Sequence, residues 1–132
     1  MAEECCSPSE ILIFTCSGSS NVGQVANQAA VDLQQEGIGK MLCLAGIGGH
    51  VSGMIASAQS AKRLVGIDGC AIACTKKTVE HAGLSLTDYI LITALGYEKG
   101  PYSGTMDKKA VNKVKDEVKQ QIVKPVKIEV KQ

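Results

Sequence analysis

Six cysteines are spread over 132 residues. Two of them, Cys70 and Cys74, stand four apart in the stretch Ile-Asp-Gly-Cys-Ala-Ile-Ala-Cys that begins at Ile67. Thiols ligate soft metals, attack as thiolates, pair as disulfides, or simply fill a core. The start, Met-Ala-Glu-Glu, has neither the basic residues nor the apolar run of a signal peptide. No stretch approaches the roughly 18 apolar residues of a membrane span. A cytoplasmic protein is therefore expected, and in a reducing compartment a disulfide framework is not. Metal binding, catalysis or burial remain for the cysteines.

The bulk properties narrow the setting. The length suits one domain, with a tail over residues 1–10 and a single domain over 11–132 expected. Apolar residues make up 45% of the chain, yet there is no Trp and one Phe, Phe14, so the core must be built from Val, Ile, Leu and Ala. That composition favours a parallel sheet covered by helices. A net charge of +1 lacks the basic footprint of a polyanion binder. The lysines gathered between Lys108 and Lys131 read as the wet face of a helix and a strand, so neither nucleic acid nor a membrane is an expected partner.

The elements that must position the thiols follow from periodicity. Ile11–Thr15 is a short strand, ending in Cys-Ser-Gly-Ser-Ser-Asn. Val22, Val25, Ala26, Ala29, Ala30 and Leu33 then recur at helical spacing, with Ser20 or Asn21 as the cap and Gly37 as the stop. Lys-Met-Leu-Cys-Leu-Ala-Gly reads as a second buried strand, and Val51, Met54, Ile55 and Ala58 mark a second helix. Arg-Leu-Val-Gly-Ile is a third strand. It breaks at Asp68-Gly69, where a helix is predicted to begin and run to His81. Tyr-Ile-Leu-Ile-Thr-Ala-Leu-Gly is a fourth strand. Asp107 caps a helix with Val111, Val114, Val118 and Ile122 on one face, and Val126, Ile128 and Val130 alternate as a fifth, edge strand. Strand and helix alternate throughout. The expected fold is a three-layer α/β domain, Rossmann- or flavodoxin-like, whose mostly parallel five-stranded sheet has the order 2-1-3-4-5.

In that order the first and third strands are neighbours, about 4.8 Å apart, and ligands bind beyond the carboxyl ends at this switch point. Cys16 ends the first strand and Cys70 follows the third. Cys74 lies one turn beyond Cys70 on the predicted helix, unless that helix turns it into the core. Cys43 sits within an apolar run, with Leu44 and Ala45 between it and the loop, and reads equally as a small core residue or as a fourth ligand. Four such thiolates suit a closed tetrahedral zinc site, and a place at a helix start would favour the Cys70 thiolate. Cys5 and Cys6 lie in the tail, from which they could reach over as extra ligands.

Other chemistries compete with this one. Cys-Ser-Gly-Ser-Ser-Asn before a helix looks like the phosphate cradle of a cysteine phosphatase, but the position that would need a bidentate arginine is Val22. A redox or sulfur-transfer enzyme using Cys16, Cys70 and Cys74 stays open. Gly-Ile-Gly-Gly-His-Val-Ser-Gly from Gly46 begins like a dinucleotide loop, yet Val51 stands where the third glycine belongs. Asp68 is expected to cap the helix of Cys70 rather than to act as an acid. His50 is the best non-thiol ligand or proton shuttle at this end, though a solvated loop histidine is the plainer reading. His81 suits the C-terminal dipole of its helix.

These stretches together resemble the DGC domain family, small zinc-associated proteins named for an Asp-Gly-Cys motif. Cys-Ser-Gly-Ser-Ser-Asn-Val-Gly-Gln-Val-Ala-Asn-Gln-Ala-Ala from Cys16, Gly-Ile-Gly-Lys-Met-Leu-Cys-Leu-Ala-Gly-Ile-Gly-Gly from Gly37, and the Asp-Gly-Cys segment running from Ile67 to Leu84 carry the resemblance. It implies a zinc site made of Cys16, Cys43, Cys70 and Cys74. Family members often have proline after the motif; here the residue is Ala71, and both fit a first helical turn. The expected function is zinc binding at the carboxyl ends of the strands, in metal or sulfur handling, with a metal ion as the expected partner.

Overall fold

The sheet order is β2-β1-β3-β4, all parallel, in a computed structural model that describes residues 10–126. The central strand β1 (Ile11–Thr15) is buried on both faces after its first residue, as an apolar run in a doubly covered sheet must be. Leu12 and Phe14 join one core with Leu42, Ile47, Ala58, Leu64, Val79 and Leu84. Ile13 points the other way, into a core with Val65, Ile67, Ile90 and Ile92. The period of two thus sorts alternate side chains into two apolar layers.

Helix α1 (Asn21–Gln35) covers the second of these faces. The Ser20 hydroxyl caps it by accepting the Gly23 N–H at 3.0 Å, and all six apolar positions of its stripe are buried. Gly37 follows at φ +77°, a left-handed turn that stops the helix. The last helix, α5 (Lys108–Ile122), packs beside α1 through Val111, Val114 and Val118. Asp107 caps it by accepting the Ala110 N–H at 3.1 Å. Lys115 and Lys119 each reach Glu36 at 2.6 Å, so part of the late lysine cluster ties α5 to the end of α1.

The other face departs from expectation. Strand β2 is only Lys40–Met41; the chain leaves the sheet after Leu42 and forms a short helix α2 (Leu44–Gly48) with Cys43 as its cap residue. An unbroken apolar run carries no period that separates strand from helix. Helix α2 ends in a Schellman turn: His50 N–H donates to Ile47 O at 3.1 Å and Val51 N–H to Gly46 O at 2.9 Å, with His50 itself at φ +56°. Helix α3 (Ser52–Ser60) then leads to β3 (Arg63–Asp68).

Two more boundaries move. The helix predicted to start at Asp68-Gly69 starts at Cys74: α4 is Cys74–His81, preceded by Ala73 in the left-handed region at φ +58°. Residues 69–73 instead form a turn, closed by Ala73 N–H donating to Cys70 O at 3.0 Å. The fourth strand β4 is Asp88–Leu91, and Ile92–Leu95 wind into a 3-10 turn ended by Gly96 at φ +101°. Among the described residues the sheet has four strands, not five. The predicted fifth strand falls on residues that, past Val126, lie outside the described ones, as do Cys5 and Cys6. No helix of the described residues is long and apolar enough to cross a membrane.

At the amino ends of β3 and β4, Arg63 grips Asp88 with Nη1 at 2.9 and 3.0 Å from the two carboxylate oxygens. The pair is nearly buried and also holds the end of α5, since Arg63 donates to Gln121 O and Lys124 O. The other end of the sheet carries the thiols.

Candidate thiol centre

Parallel pairing of Thr15 with Ile67 brings the ends of β1 and β3 level. Cys16 leaves β1 with its N–H donating to Ile67 O at 3.2 Å. The Gly69 N–H donates to Cys16 Sγ at 3.2 Å. Cys16 and Cys70 both pack against the core beneath α1. The ends of the first and third strands therefore stand side by side, and the turn that carries Cys70 touches Cys16 through the Gly69 N–H.

Each residue of the Asp-Gly-Cys turn has a separate task. Asp68, 1% exposed, accepts the Thr75 N–H at 2.8 Å, the Lys76 N–H at 3.1 Å and the Tyr89 hydroxyl at 2.8 Å. It caps α4 as expected, but from six residues upstream, which is why a turn and not a helix follows it. Gly69 lies so close to α1 that a Cβ would meet Val22 C at 2.7 Å and Gly23 N at 2.9 Å. Cys70 supplies the thiol. It is not at a helix start, so the dipole argument does not hold for it; Lys99 Nζ stands 3.4 Å from its Sγ instead.

Cys74 is the first residue of α4 and is exposed. With Cys16 it lines an open groove of about 370 Å³ whose other walls are Thr15, Ser17, Leu44, Ala45, Gly48 and Thr78. Cys43 is exposed at the start of α2, not buried in a strand. It opens onto an adjoining groove that shares Thr15, Ser17, Leu44 and Ala45. Cys16, Cys43, Cys70 and Cys74 are all free thiols. Among the described residues, no three His, Cys, Asp or Glu side chains stand as a formed metal cage. The donors suit zinc in kind; Cys16, Cys70 and Cys74 share one end, and Cys43 lies across the Leu44–Ala45 wall.

Charge around Cys16 is lopsided. Burial pushes its thiol up to about 11, against the lowering effect of the Gly69 N–H. Asp68, and after it Cys74 and Cys70, push it further the same way. Tyr89 is likewise raised, first by burial and then by its bond to Asp68. A proton on Cys16 is thus held unless positive charge arrives.

Several participants were not singled out in the sequence. Lys99 reaches Cys70 because its loop is clamped to the start of α1: Asn21 Oδ1 accepts the Gly100 N–H at 2.7 Å, Asn21 Nδ2 donates to Glu98 O at 2.9 Å, and Tyr102 N–H donates to Ser19 O at 2.9 Å. Loops beyond the carboxyl ends converge on the switch point, and that rule could have pointed to Lys99. The Gly-x-Gly stretch forms the end of α2 rather than a strand-to-helix loop, so it offers no dinucleotide cradle. His50 meets His81, not the cysteines.

The fold and site define a small parallel α/β protein with an Asp-Gly-Cys turn at its switch point and free thiols around it. The chain belongs to the DGC domain family, whose domain matches residues 12–118. It is 33% identical over 88 residues to the anaerobic and virulence modulator AnvM of Pseudomonas aeruginosa, an alignment covering 67% of each chain. No solved structure matches it.

Proposed function

We propose that this chain binds zinc through thiolates at the carboxyl ends of β1 and β3, with Cys16, Cys70 and Cys74 as ligands and Cys43 as the fourth. The observation that carries this reading is the setting of Cys16, a half-buried thiol among a carboxylate and two further thiols. Each of these neighbours opposes ionisation, and a divalent cation reverses all of them at once. Zinc prefers such a donor set, at Zn–S near 2.3 Å. Cys70 sits on a turn and Cys43 on a helix cap, so closing on a metal requires movement of loops and not of the sheet. AnvM is named as a modulator, and a thiolate–metal centre suits that kind of role, because oxidised sulfurs no longer ligate.

A second reading rests on Lys99, whose Nζ stands 3.4 Å from Cys70 Sγ, so that this thiol has a polar partner at the mouth of the site. In that case Cys70 and a resolving thiol, Cys16 or Cys74, would form a disulfide by giving two electrons and two protons to a peroxide, whose O–O bond breaks to leave two waters when it is hydrogen peroxide. Alkylation separates the two. A zinc-loaded centre reacts slowly until a chelator is added; a redox thiol reacts fast at Cys70 whether or not zinc is present.

A further inference from the structure

The chain contains two histidines, and the fold brings them together. His50 Nε2 and His81 Nδ1 are 3.3 Å apart, with the rings edge to face at 88° and 5.4 Å between centroids. Both side chains are exposed. We propose that they form a second, solvent-facing site for a divalent transition metal, held by two imidazoles and completed by water. It shares no side chain with the thiol centre and does not rest on the reading given for it.

Three observations carry this site. The first is the spacing. Two nitrogens bound to one tetrahedral zinc at 2.0–2.1 Å stand about 3.3–3.4 Å apart, so the ring nitrogens already span one edge of the coordination shell. In the tautomer that makes this hydrogen bond, one of these nitrogens donates its proton to the other. Moving that proton to the far nitrogen of its own ring leaves both lone pairs for a metal, with no net proton released.

The second is how His50 is held. It occupies the left-handed position of the Schellman turn that ends α2, at φ +56°, where glycine is the usual residue. A side chain here has a backbone cost that glycine would avoid, and what this one gains is the approach to His81. His81 lies in the last turn of α4. Both ligands therefore sit at helix ends whose backbones hold the two rings on facing segments.

The third is the position along α4. Cys74, Thr78 and His81 follow one another at spacings of four and three, so they share a face, and Cys74 and Thr78 line the thiol groove. Seven residues at 1.5 Å each put the histidine pair about 10 Å along the helix from Cys74. An imidazole pair suits zinc, nickel and copper. Two imidazoles completed by water leave such an ion exchangeable and within reach of the groove that Cys74 and Thr78 line.

The test is the ring-nitrogen NMR spectrum of the full chain during titration with zinc alone, with free thiols counted in the same samples. His50→Gln and His81→Gln assign the signals, and far-UV circular dichroism checks their fold. Both histidines should shift together, at one zinc midpoint, through His50 Nε2 and His81 Nδ1. Either variant should raise the midpoint of the remaining histidine at least tenfold. Ring signals that stay still, two histidines that shift at different zinc levels, or a His50 midpoint unchanged by His81→Gln would each overturn the proposal. Because the thiol count reads the other centre, loss of one reading is distinguishable from loss of the other.

Discussion

The Gly69 N–H points at Cys16 Sγ, 3.2 Å away across the end of the sheet. That bond joins the Asp-Gly-Cys turn after β3 to the thiol after β1, and it exists because Gly69 lies against the backbone of Val22 and Gly23. Gly69→Ala would force apart backbone atoms at 2.7–2.9 Å, which no side-chain rotation relieves. The expected loss in chemical denaturation is about 1–3 kcal/mol. Gly100→Ala is the control: nothing lies within 4 Å of its added Cβ, and its loss should stay within about 0.5 kcal/mol, the range of most surface substitutions.

Asp68 satisfies two helix N–H groups and a tyrosine hydroxyl at once. Asp68→Ala leaves these donors unpaired next to a buried site, and a loss of about 3 kcal/mol is expected. Tyr89→Phe removes one of the three partners and should cost about 1 kcal/mol. Equilibrium urea unfolding of the two variants checks both the order and the gap.

Cys16 sets a pH dependence. Its folded thiol is raised from 9.0 to about 11, so the folded state holds this proton more tightly than the unfolded chain does. The resulting stability is complete below pH 9 and is lost as pH rises through 11. Metal-free protein should therefore lose stability over this alkaline window, and Cys16→Ser should lose less. Alkylation of Cys16 in the metal-free protein should likewise be slow at neutral pH. A Cys16 that reacts fully at pH 7 would contradict the burial argument.

The opposite end of the sheet tests stability without touching the thiols. Asp88→Ala strands the nearly buried Arg63, at an expected cost of about 3–5 kcal/mol. Thiol reactivity in the folded fraction should not change, since Arg63 and Asp88 stand at the amino ends of β3 and β4.

Much of this is legible in the sequence. The stripe from Val22 to Leu33 and the Asp107 cap carry a clean helical period, and the alternation of elements fixed the order of the first four strands. The thiols of Cys16 and Cys70 could be placed together from that order alone. Three features could not be read. The runs around Cys43 and Ile92 are apolar without a break, so the point where strand gives way to helix depends on tertiary packing. The turn at Gly69–Ala73 exists because Asp68 bonds to N–H groups seven and eight residues on, a distance beyond a local cap. Lys99 and the meeting of His50 with His81 depend on contacts between segments far apart in sequence.

The most direct test of the zinc reading is metal stoichiometry and free-thiol count on one sample. The His50→Gln, His81→Gln double variant is the background, so that the outer pair contributes nothing. One tightly held zinc per chain is expected, with Cys70 and Cys74 protected from alkylation until a chelator is added, while Cys16 stays slow at neutral pH in either state. Adding Cys70→Ser should abolish both, with an unchanged far-UV circular dichroism spectrum. Zinc retained in full by the Cys70→Ser protein, or Cys70 and Cys74 thiols that alkylate equally fast with and without zinc, would contradict the account.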